Sequence, residues 1–322
     1  MTEQDTPQGP RPIRNEIARP GEEVLVLRHQ KLSKGMHQRF YEISRDGVWP
    51  WYEKIGTRMV GQWQIVYPDG GEEPEDYDEG YRLARYRSYE HWEATRTPVN
   101  IHLGGDGQDF EKNKEALGAR REYLIGSDGP FFLQGRMAPG GPFYMPGVME
   151  TFEGVEGDGA DQGTASQQVE LDDGDARPVR NGAAVPGQEL VTLRYWKVKK
   201  GCYDDFYQAS QEGVWPYFNK IGARPVGQWK VIYPPPPACD RKEHADYDEI
   251  LMMTRYASYA HWEATRRAVE LGGNGPDYGK MREAMALRRS LSQETWVQFL
   301  QGYMYDSPPV YLPGLEERYR LV

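Results

Sequence analysis

Cysteine, long apolar runs and clusters of basic residues are scarce in this chain of 322 residues. Cys202 and Cys239 are its only cysteines, too few for a disulfide framework or a thiolate zinc site, which is typical of a reducing compartment. No apolar stretch approaches the roughly 18 residues that span a bilayer, and Met1–Asp5 has no signal-peptide pattern. The sequence therefore predicts a cytoplasmic protein without a membrane partner.

The charge balance argues against a nucleic-acid partner. Acidic residues number 49 and basic residues 39, and no run of lysine or arginine supplies the basic face that phosphates need. Residues 148–187 account for seven of the ten net negative charges, so the rest of the chain is nearly neutral. The acidity therefore says little about a ligand.

Several catalytic motifs are also missing. There is no Gly-x-Ser-x-Gly, no Gly-Lys-Ser/Thr after a glycine-rich loop, and no cysteine with an evident histidine partner, which disfavours acyl transfer and a phosphate cradle. His91 and His261 stand beside tryptophans at matching positions and could be haem or metal ligands. Because one helix offers no second ligand four residues on, a structural role is favoured, and no metal is expected.

The chain does contain a long internal repeat. Gly47–Pro50 recurs as Gly213–Pro216, and about half of residues 24–68 are identical to the residues 166 positions later. Similar matches continue toward the end of the chain. Two homologous domains are therefore predicted at 22–147 and 188–315.

The remaining segments lack the residues that build a core. Residues 148–187 are rich in glycine and acidic residues with almost no aromatic side chains, so their burial cannot offset the entropy of ordering them. They are predicted to be a linker. Residues 1–21, with four prolines, are expected to be a disordered tail, and 316–322 a C-terminal tail.

Each repeat predicts the element order β-α-β-β-α-(α)-β, the split βαβ pattern of ferredoxin-like units. Pro50 and Pro216 fall inside the first helix of each repeat and predict a kink there. A single such sheet carries helices on one face only. We therefore expect the bare faces of the two sheets to pack together as a barrel of eight strands inside a shell of helices.

Motifs in both repeats resemble NIPSNAP domains. The resemblance is carried by Leu27–Gly35, Val60–Trp63 and Tyr86–Arg96, each with its counterpart in the second repeat. It implies an α+β fold in which two tandem ferredoxin-like repeats form a dimeric α/β-barrel arrangement within one chain. That wider group includes cofactor-free monooxygenases, isomerases, lyases and haem enzymes, so the resemblance implies architecture more than chemistry. His29 and Gln30 depart from the family's usual pattern.

Alternation along the strands divides their side chains between two faces. If the more apolar face packs on the helices, then arginine, glutamine and tyrosine point into the barrel and predict a polar small-molecule cavity there. The predicted substrate-binding residues are Arg28, Arg82, Arg136, Arg194, Gln62, Gln134 and Gln228. The predicted catalytic residues are Tyr86 and Tyr256 as proton donors and His29 as a base.

The two halves of the predicted cavity differ in charge. Arg82 corresponds to Met252 and Arg136 to Tyr303, so the first half is the more cationic. Buried guanidinium groups need an anionic partner, which a carboxylate or phenolate substrate would supply. Alternatively, Arg28 and Arg194 pair with carboxylates where the two domains meet.

The leading hypothesis is an enzyme that acts on an aromatic or polyketide-like acid by proton transfer without a cofactor, as a lyase, decarboxylase or isomerase. One alternative is a cofactor-free monooxygenase or haem enzyme on the same fold. The other is a non-catalytic NIPSNAP-type binding protein. A homodimer is compatible with each.

Overall fold

The computed structural model describes residues 23–68, 70–96, 107–137, 168–170, 176–178, 190–236 and 239–304. The predicted tails and most of the predicted linker lie outside the described residues. Across the described ranges, no helix combines the length and apolar character of a membrane span.

The predicted order of elements occurs in both halves, with the last strand of the first half divided in two. The first half contains β1 (Val24–Ser33), α1 (His37–Ile43), a π-helical segment (Ser44–Val48), α2 (Trp49–Lys54), β2 (Arg58–Val66), β3 (Tyr77–Tyr86), α3 (Tyr89–Ala94), α4 (Gln108–Arg121), β4 (Leu124–Ser127) and β5 (Phe131–Met137). Two short strands, β6 (Gln168–Glu170) and β7 (Ala176–Pro178), form an antiparallel pair within the predicted linker.

The second half repeats this order, and residues 267–272 correspond to a stretch of the first half outside the described residues. It contains β8 (Leu190–Lys199), α5 (Tyr203–Gln208), a π-helical segment (Ala209–Val214), α6 (Trp215–Lys220), β9 (Arg224–Ile232), β10 (Tyr247–Tyr256), α7 (Tyr259–Ala264), a 3₁₀ turn (Thr265–Arg267), α8 (Ala268–Gly272), α9 (Pro276–Leu291) and β11 (Ser292–Met304).

The first helix of each half is interrupted where the proline is expected to bend it. Pro50 stands in the first turn of α2, directly after the π-helical segment, and the Ser44 hydroxyl donates to the Phe40 carbonyl at 2.5 Å. A proline has no N–H, and its ring displaces the carbonyl four residues earlier, so the helix widens at this point. Pro216 occupies the same position in α6. The predicted kink is therefore a π-helical segment in both halves.

Eight strands close into an antiparallel barrel. Their order is β3-β2-β11-β8-β10-β9-β5-β1, and β1 pairs with β3 to complete the ring, while β4 pairs with β1 beside β5. Two seams join the halves, namely β2 with β11 and β5 with β9. The expected mixed α+β barrel is observed.

Apolar side chains from both halves fill the interior of the barrel. The inward-facing residues form one buried cluster that includes Leu25, Leu27, Trp63, Leu83, Leu193, Trp229, Met253 and Leu300. The interior of an eight-stranded barrel is just wide enough for its own side chains. The centre of the molecule is therefore a packed core.

This core shows that the predicted cavity inside the barrel is wrong. On β1 and β3 the apolar face points inward, and the face that carries Arg28, Arg82 and Tyr86 points outward toward the helices. A closed interior has no water to solvate charges and must be apolar, whereas the helices cover the outer face incompletely and leave space beside it. The same reversal applies to Arg194, Tyr256, Gln62 and Gln228.

Candidate functional site

A cavity of about 290 Å³, here called the first pocket, lies between the outer face of the first-half sheet and the helices that cover it. Strands β1 and β3 form its floor, and α2, α3 and α4 its walls. Its lining residues are Arg28, Gln30, Phe40, Tyr52, Arg82, Tyr86, Trp92, Thr95, Arg96, Leu117, Arg120, Arg121, Leu124 and Ser127.

Local structure brings these residues together. Arg28 and Arg82 are directly paired in the β1–β3 ladder, so their side chains leave the sheet side by side. Ser88 caps α3 by accepting the His91 N–H at 3.2 Å, as its N-cap position predicts. This cap orients α3 so that Trp92 covers one end of the pocket.

Three buried or half-buried guanidinium groups in the pocket have no carboxylate partner. Within the described residues, no Asp or Glu lines the cavity or lies at salt-bridge distance from Arg28, Arg82 or Arg120. The Nε atoms of Arg82 and Arg120 are buried and make no hydrogen bond to a described residue. Arg120 instead lies 4.3 Å from the centre of the Phe40 ring.

The protein environment disfavours the positive charges of Arg28 and Arg120. Burial, and then the neighbouring charge of Arg82, lower the pKa of Arg120 to about 9. Burial and the charge of Arg82 also lower the pKa of Arg28. An anion bound beside Arg28 and Arg120 would raise the pKa of both groups again.

Tyr86 is the best-placed proton donor in the first pocket. Burial raises the pKa of its hydroxyl to about 12, although the charges of Arg82 and Arg28 act in the opposite direction. At neutral pH Tyr86 is therefore protonated and can donate.

His91 and His261 have structural roles. The Nδ1 atom of His91 accepts from the Arg87 N–H at 3.2 Å, and its Nε2–H donates to the Ile55 carbonyl at 2.7 Å. His261 makes the matching pair of bonds with Ala257 and Ile221. Because both ring nitrogens are occupied, neither imidazole fits a haem iron or metal ion. Among the described residues, no group of three or more His, Cys, Asp or Glu could hold a metal.

The second half contains a cavity of about 340 Å³ at the equivalent place, here called the second pocket. It lies between the outer face of β8 and β10 and helices α6, α7 and α9. Its lining residues are Thr192, Arg194, Trp196, Phe218, Met252, Tyr256, Trp262, Thr265, Arg266, Met285, Arg288 and Val297.

His29 lies apart from both pockets. It follows Arg28 on β1 and therefore points to the opposite face, at the rim of the barrel. Its Nδ1 atom is 2.6 Å from a carboxylate oxygen of Asp128, and its Nε2 atom is 3.4 Å from Glu79. This position does not bring His29 to a substrate in the first pocket.

The predicted glutamines do not join the pockets either. Gln62 and Gln228 are fully buried, and their amides make no hydrogen bond within the described part of the chain. Gln134 lines a separate groove beside Lys230. Arg136 belongs to β5, but its side chain lies outside the described residues. The structure thus groups Arg28, Arg82 and Tyr86 in one pocket, and Arg194 and Tyr256 in the other.

The last helix of each half contributes an arginine that is not among the predicted site residues. Arg120 reaches the first pocket from α4, and Arg288 reaches the second from α9. One signal was present, because the pair Arg120-Arg121 recurs as Arg288-Arg289 at the same distance before the last strands. Arg96 and Arg266 were missed in the same way.

No family model matches the chain, and no curated protein matches it, so the resemblance to NIPSNAP domains is not confirmed. Among solved structures, the chain is similar to a candidate monooxygenase from Fusobacterium nucleatum, with 11% identity over 89% of this chain and 98% of that one and a TM-score of 0.43. A candidate monooxygenase from Lactobacillus acidophilus has 9% identity over 88% and 100%, with a TM-score of 0.46. An anthrone oxidase-like protein has 12% identity over 93% and 99%, with a TM-score of 0.44. These values are too low to carry a conclusion about the reaction.

Proposed function

We propose that the protein is an enzyme that binds a small aromatic or polyketide-like organic anion in the first pocket and transfers a proton to it from Tyr86. The observation that carries this proposal is the group of Arg28, Arg82 and Arg120 around one cavity, without a carboxylate partner among the described residues. Uncompensated buried charge is costly and persists where a ligand completes it.

Two of the arginines come from adjacent strands and the third from a helix, so they can contact an anion from different directions. A guanidinium group donates paired hydrogen bonds to a carboxylate or an enolate. The same donors stabilise negative charge that develops on a substrate oxygen during reaction, and they do so most strongly where water is excluded.

A β-keto acid would react by decarboxylation followed by proton transfer. The bond between the α-carbon and the carboxylate breaks, CO₂ leaves, and the electron pair moves into an enolate that the arginines stabilise. The Tyr86 hydroxyl gives its proton to the α-carbon, and solvent returns a proton to Tyr86.

The binding step is tested with benzoylacetate, an aromatic β-keto anion, by titration calorimetry. Arg28→Met and Arg82→Met are each expected to weaken binding about tenfold or more, since each removes a charge-assisted contact. Arg39→Met is the matched control, because Arg39 is exposed and pairs with Glu42 on α1. Equal affinity for Arg82→Met and the unmodified protein would reject the site.

The chemical step is tested by following acetophenone formation in D₂O. Deuterium in the product methyl group and loss of turnover in Tyr86→Phe, with binding retained, are the expected results. Protein-dependent oxygen consumption would favour the monooxygenase alternative, and binding without turnover would favour a non-catalytic binding protein; either outcome overturns the proton-transfer proposal. The domain limits at 22–147 and 188–315, the cytoplasmic location and a homodimer remain predictions.

A further inference from the structure

The second pocket has the same framework as the first but a different lining. Arg194, Tyr256 and Arg288 stand where the first pocket has Arg28, Tyr86 and Arg120. At three other places a polar group is replaced by an apolar one, as Trp196 stands for Gln30, Phe218 for Tyr52, and Met252 for Arg82. The ladder confirms the last correspondence, since Arg28 pairs with Arg82 and Arg194 with Met252.

Arg288 is a buried cation whose described neighbours are mainly apolar. It is 2% exposed, and its guanidinium group lies 5.0 Å from the centre of the Trp196 ring and 4.6 Å from that of Phe206. The sulfur atoms of Met285 and Met252 lie 3.7 Å and 3.9 Å from its terminal nitrogens. Within the described residues, its Nε atom has no hydrogen-bond partner and no carboxylate lies at salt-bridge distance.

Aromatic rings and sulfur atoms stabilise a guanidinium group only in part, because they supply no full negative charge. Burial and the positive charge of Arg194 lower the pKa of Arg288 to about 9. Arg194 itself lies over the Trp196 ring and is likewise without a carboxylate among the described residues. Two cations that are buried or half-buried, together with the exposed Arg266, therefore face one cavity whose other lining is largely aromatic rings and methionine side chains.

We infer that the second pocket is a separate binding site for an aromatic monocarboxylate with an apolar body. Its carboxylate would lie between Arg194 and Arg288, and its ring system against Phe218, Met252 and Met285. Methionine side chains adapt to flat apolar surfaces of varied outline, which suits them to this role. The two halves of one chain would then bind chemically different acids, the more polar one in the first pocket.

The probe is 2-naphthoate, a bicyclic monocarboxylate without other polar groups, and binding is measured on the full chain by titration calorimetry and by the ligand-induced rise in Tm. One saturable site per chain is expected, because the first pocket has the polar Gln30, Tyr52 and Arg82 where the second has Trp196, Phe218 and Met252 to contact an apolar ring system. Arg288→Met is expected to weaken binding about tenfold or more, whereas Arg120→Met, the matched change in the first pocket, leaves the affinity within about twofold.

Met252→Arg is the second variant, and it keeps the inference testable if Arg288→Met fails to fold. A third charge beside the apolar body is expected to weaken 2-naphthoate binding, while benzoylacetate binding to the first pocket is unchanged. Loss of naphthoate affinity in Arg120→Met with none in Arg288→Met, or no saturable binding at all, would overturn the inference. Because benzoylacetate reports on the first pocket in the same samples, a failure of this inference is separable from a failure of the proposed function.

Discussion

Single side chains set the electrostatic character of the two pockets. Arg82 and Met252 occupy paired positions in the two halves, yet one adds a charge and the other a thioether. Arg28 and Arg194 are conserved between the halves, and Tyr86 and Tyr256 likewise. The difference between the pockets therefore rests on a few substitutions within a common framework.

Arg120 is expected to reduce the stability of the ligand-free protein. Replacing a buried unpaired charge by an apolar side chain of similar length is often stabilising. Arg120→Met should therefore raise Tm without ligand, by about 2–4 °C for each kcal/mol gained. Differential scanning calorimetry checks this, with the exposed Arg39→Met as the control. A Tm lowered by several degrees would show that Arg120 stabilises the ligand-free fold, which would contradict its role as an unpaired anion-binding group.

His37 makes stability depend on pH. Burial lowers the pKa of this imidazole from 6.5 to about 4 in the folded protein. Between these values the unfolded chain binds a proton that the folded protein does not, so stability falls as pH decreases from 6.5 toward 4, by an amount on the order of 3 kcal/mol. Urea unfolding from pH 8 to pH 4 should show a flatter profile for His37→Gln. If the unmodified protein and His37→Gln lost stability equally between pH 8 and pH 4, His37 would not be the group responsible.

At the scale of elements, each π-helical segment packs against the last helix of its half. Gly47 touches α4 so closely that a Cβ atom there would collide with the Cβ atom of Ala116. Gly213 and Ala284 make the same contact in the second half. Because α4 carries Arg120, this contact also sets the distance between the helix and the floor of the first pocket.

Gly47→Ala is therefore expected to destabilise the protein by about 1–3 kcal/mol through overpacking. Gly118→Ala on α4 is the matched control, since nothing lies within 4 Å of the added methyl group. There the change should stabilise by up to about 1 kcal/mol through helix propensity. Ala116→Gly should restore part of the stability lost in Gly47→Ala. Chemical denaturation measures all of these variants, and equal effects at Gly47 and Gly118 would contradict the packing argument.

Much of the element order could be predicted because repeats, prolines and capping serines act locally. Pro50 interrupts the first helix where the kink is expected, because it lacks an N–H. Ser88 fixes the start of α3 through its side-chain hydroxyl. Which face of the sheet points into the barrel could not be predicted from such local signals. Alternation shows that Leu27 and Arg28 point in opposite directions, but it does not show which direction is the barrel interior.

Contacts between residues far apart in the sequence could not be predicted either, because residue spacing describes one helix or strand at a time. Arg120 lies on a helix with charged residues around most of its circumference, so spacing alone did not indicate that this arginine turns inward. Its approach to Arg28 depends on how α4 lies across the sheet. Arg28, Arg82 and Tyr86 were thus correctly predicted to share one pocket. That pocket was expected inside the barrel, but it lies between the sheet and the helices.

At the scale of the whole molecule, stability depends on the two seams. Gly302 lies in the seam of β11 with β2, where a Cβ atom would meet the Gln62 carbonyl oxygen and, at 2.7 Å, the Trp63 Cα atom. Gly302→Ala is expected to lower Tm and to speed amide hydrogen exchange along β2. Gly126→Ala in β4 is the control, because no atom lies within 4 Å of its added methyl group. Unchanged exchange along β2 would contradict this role.

A ring of strands closed by two seams does not depend on the peptide that links its halves. If a protease cuts within 148–187, the β2–β11 and β5–β9 ladders still hold each fragment to the other. The nicked protein should elute from a sizing column at its original volume and separate into two polypeptides only in denaturant. Backbone hydrogen bonds across the two seams would then replace the covalent link, and the cleaved molecule would keep the first and second pockets.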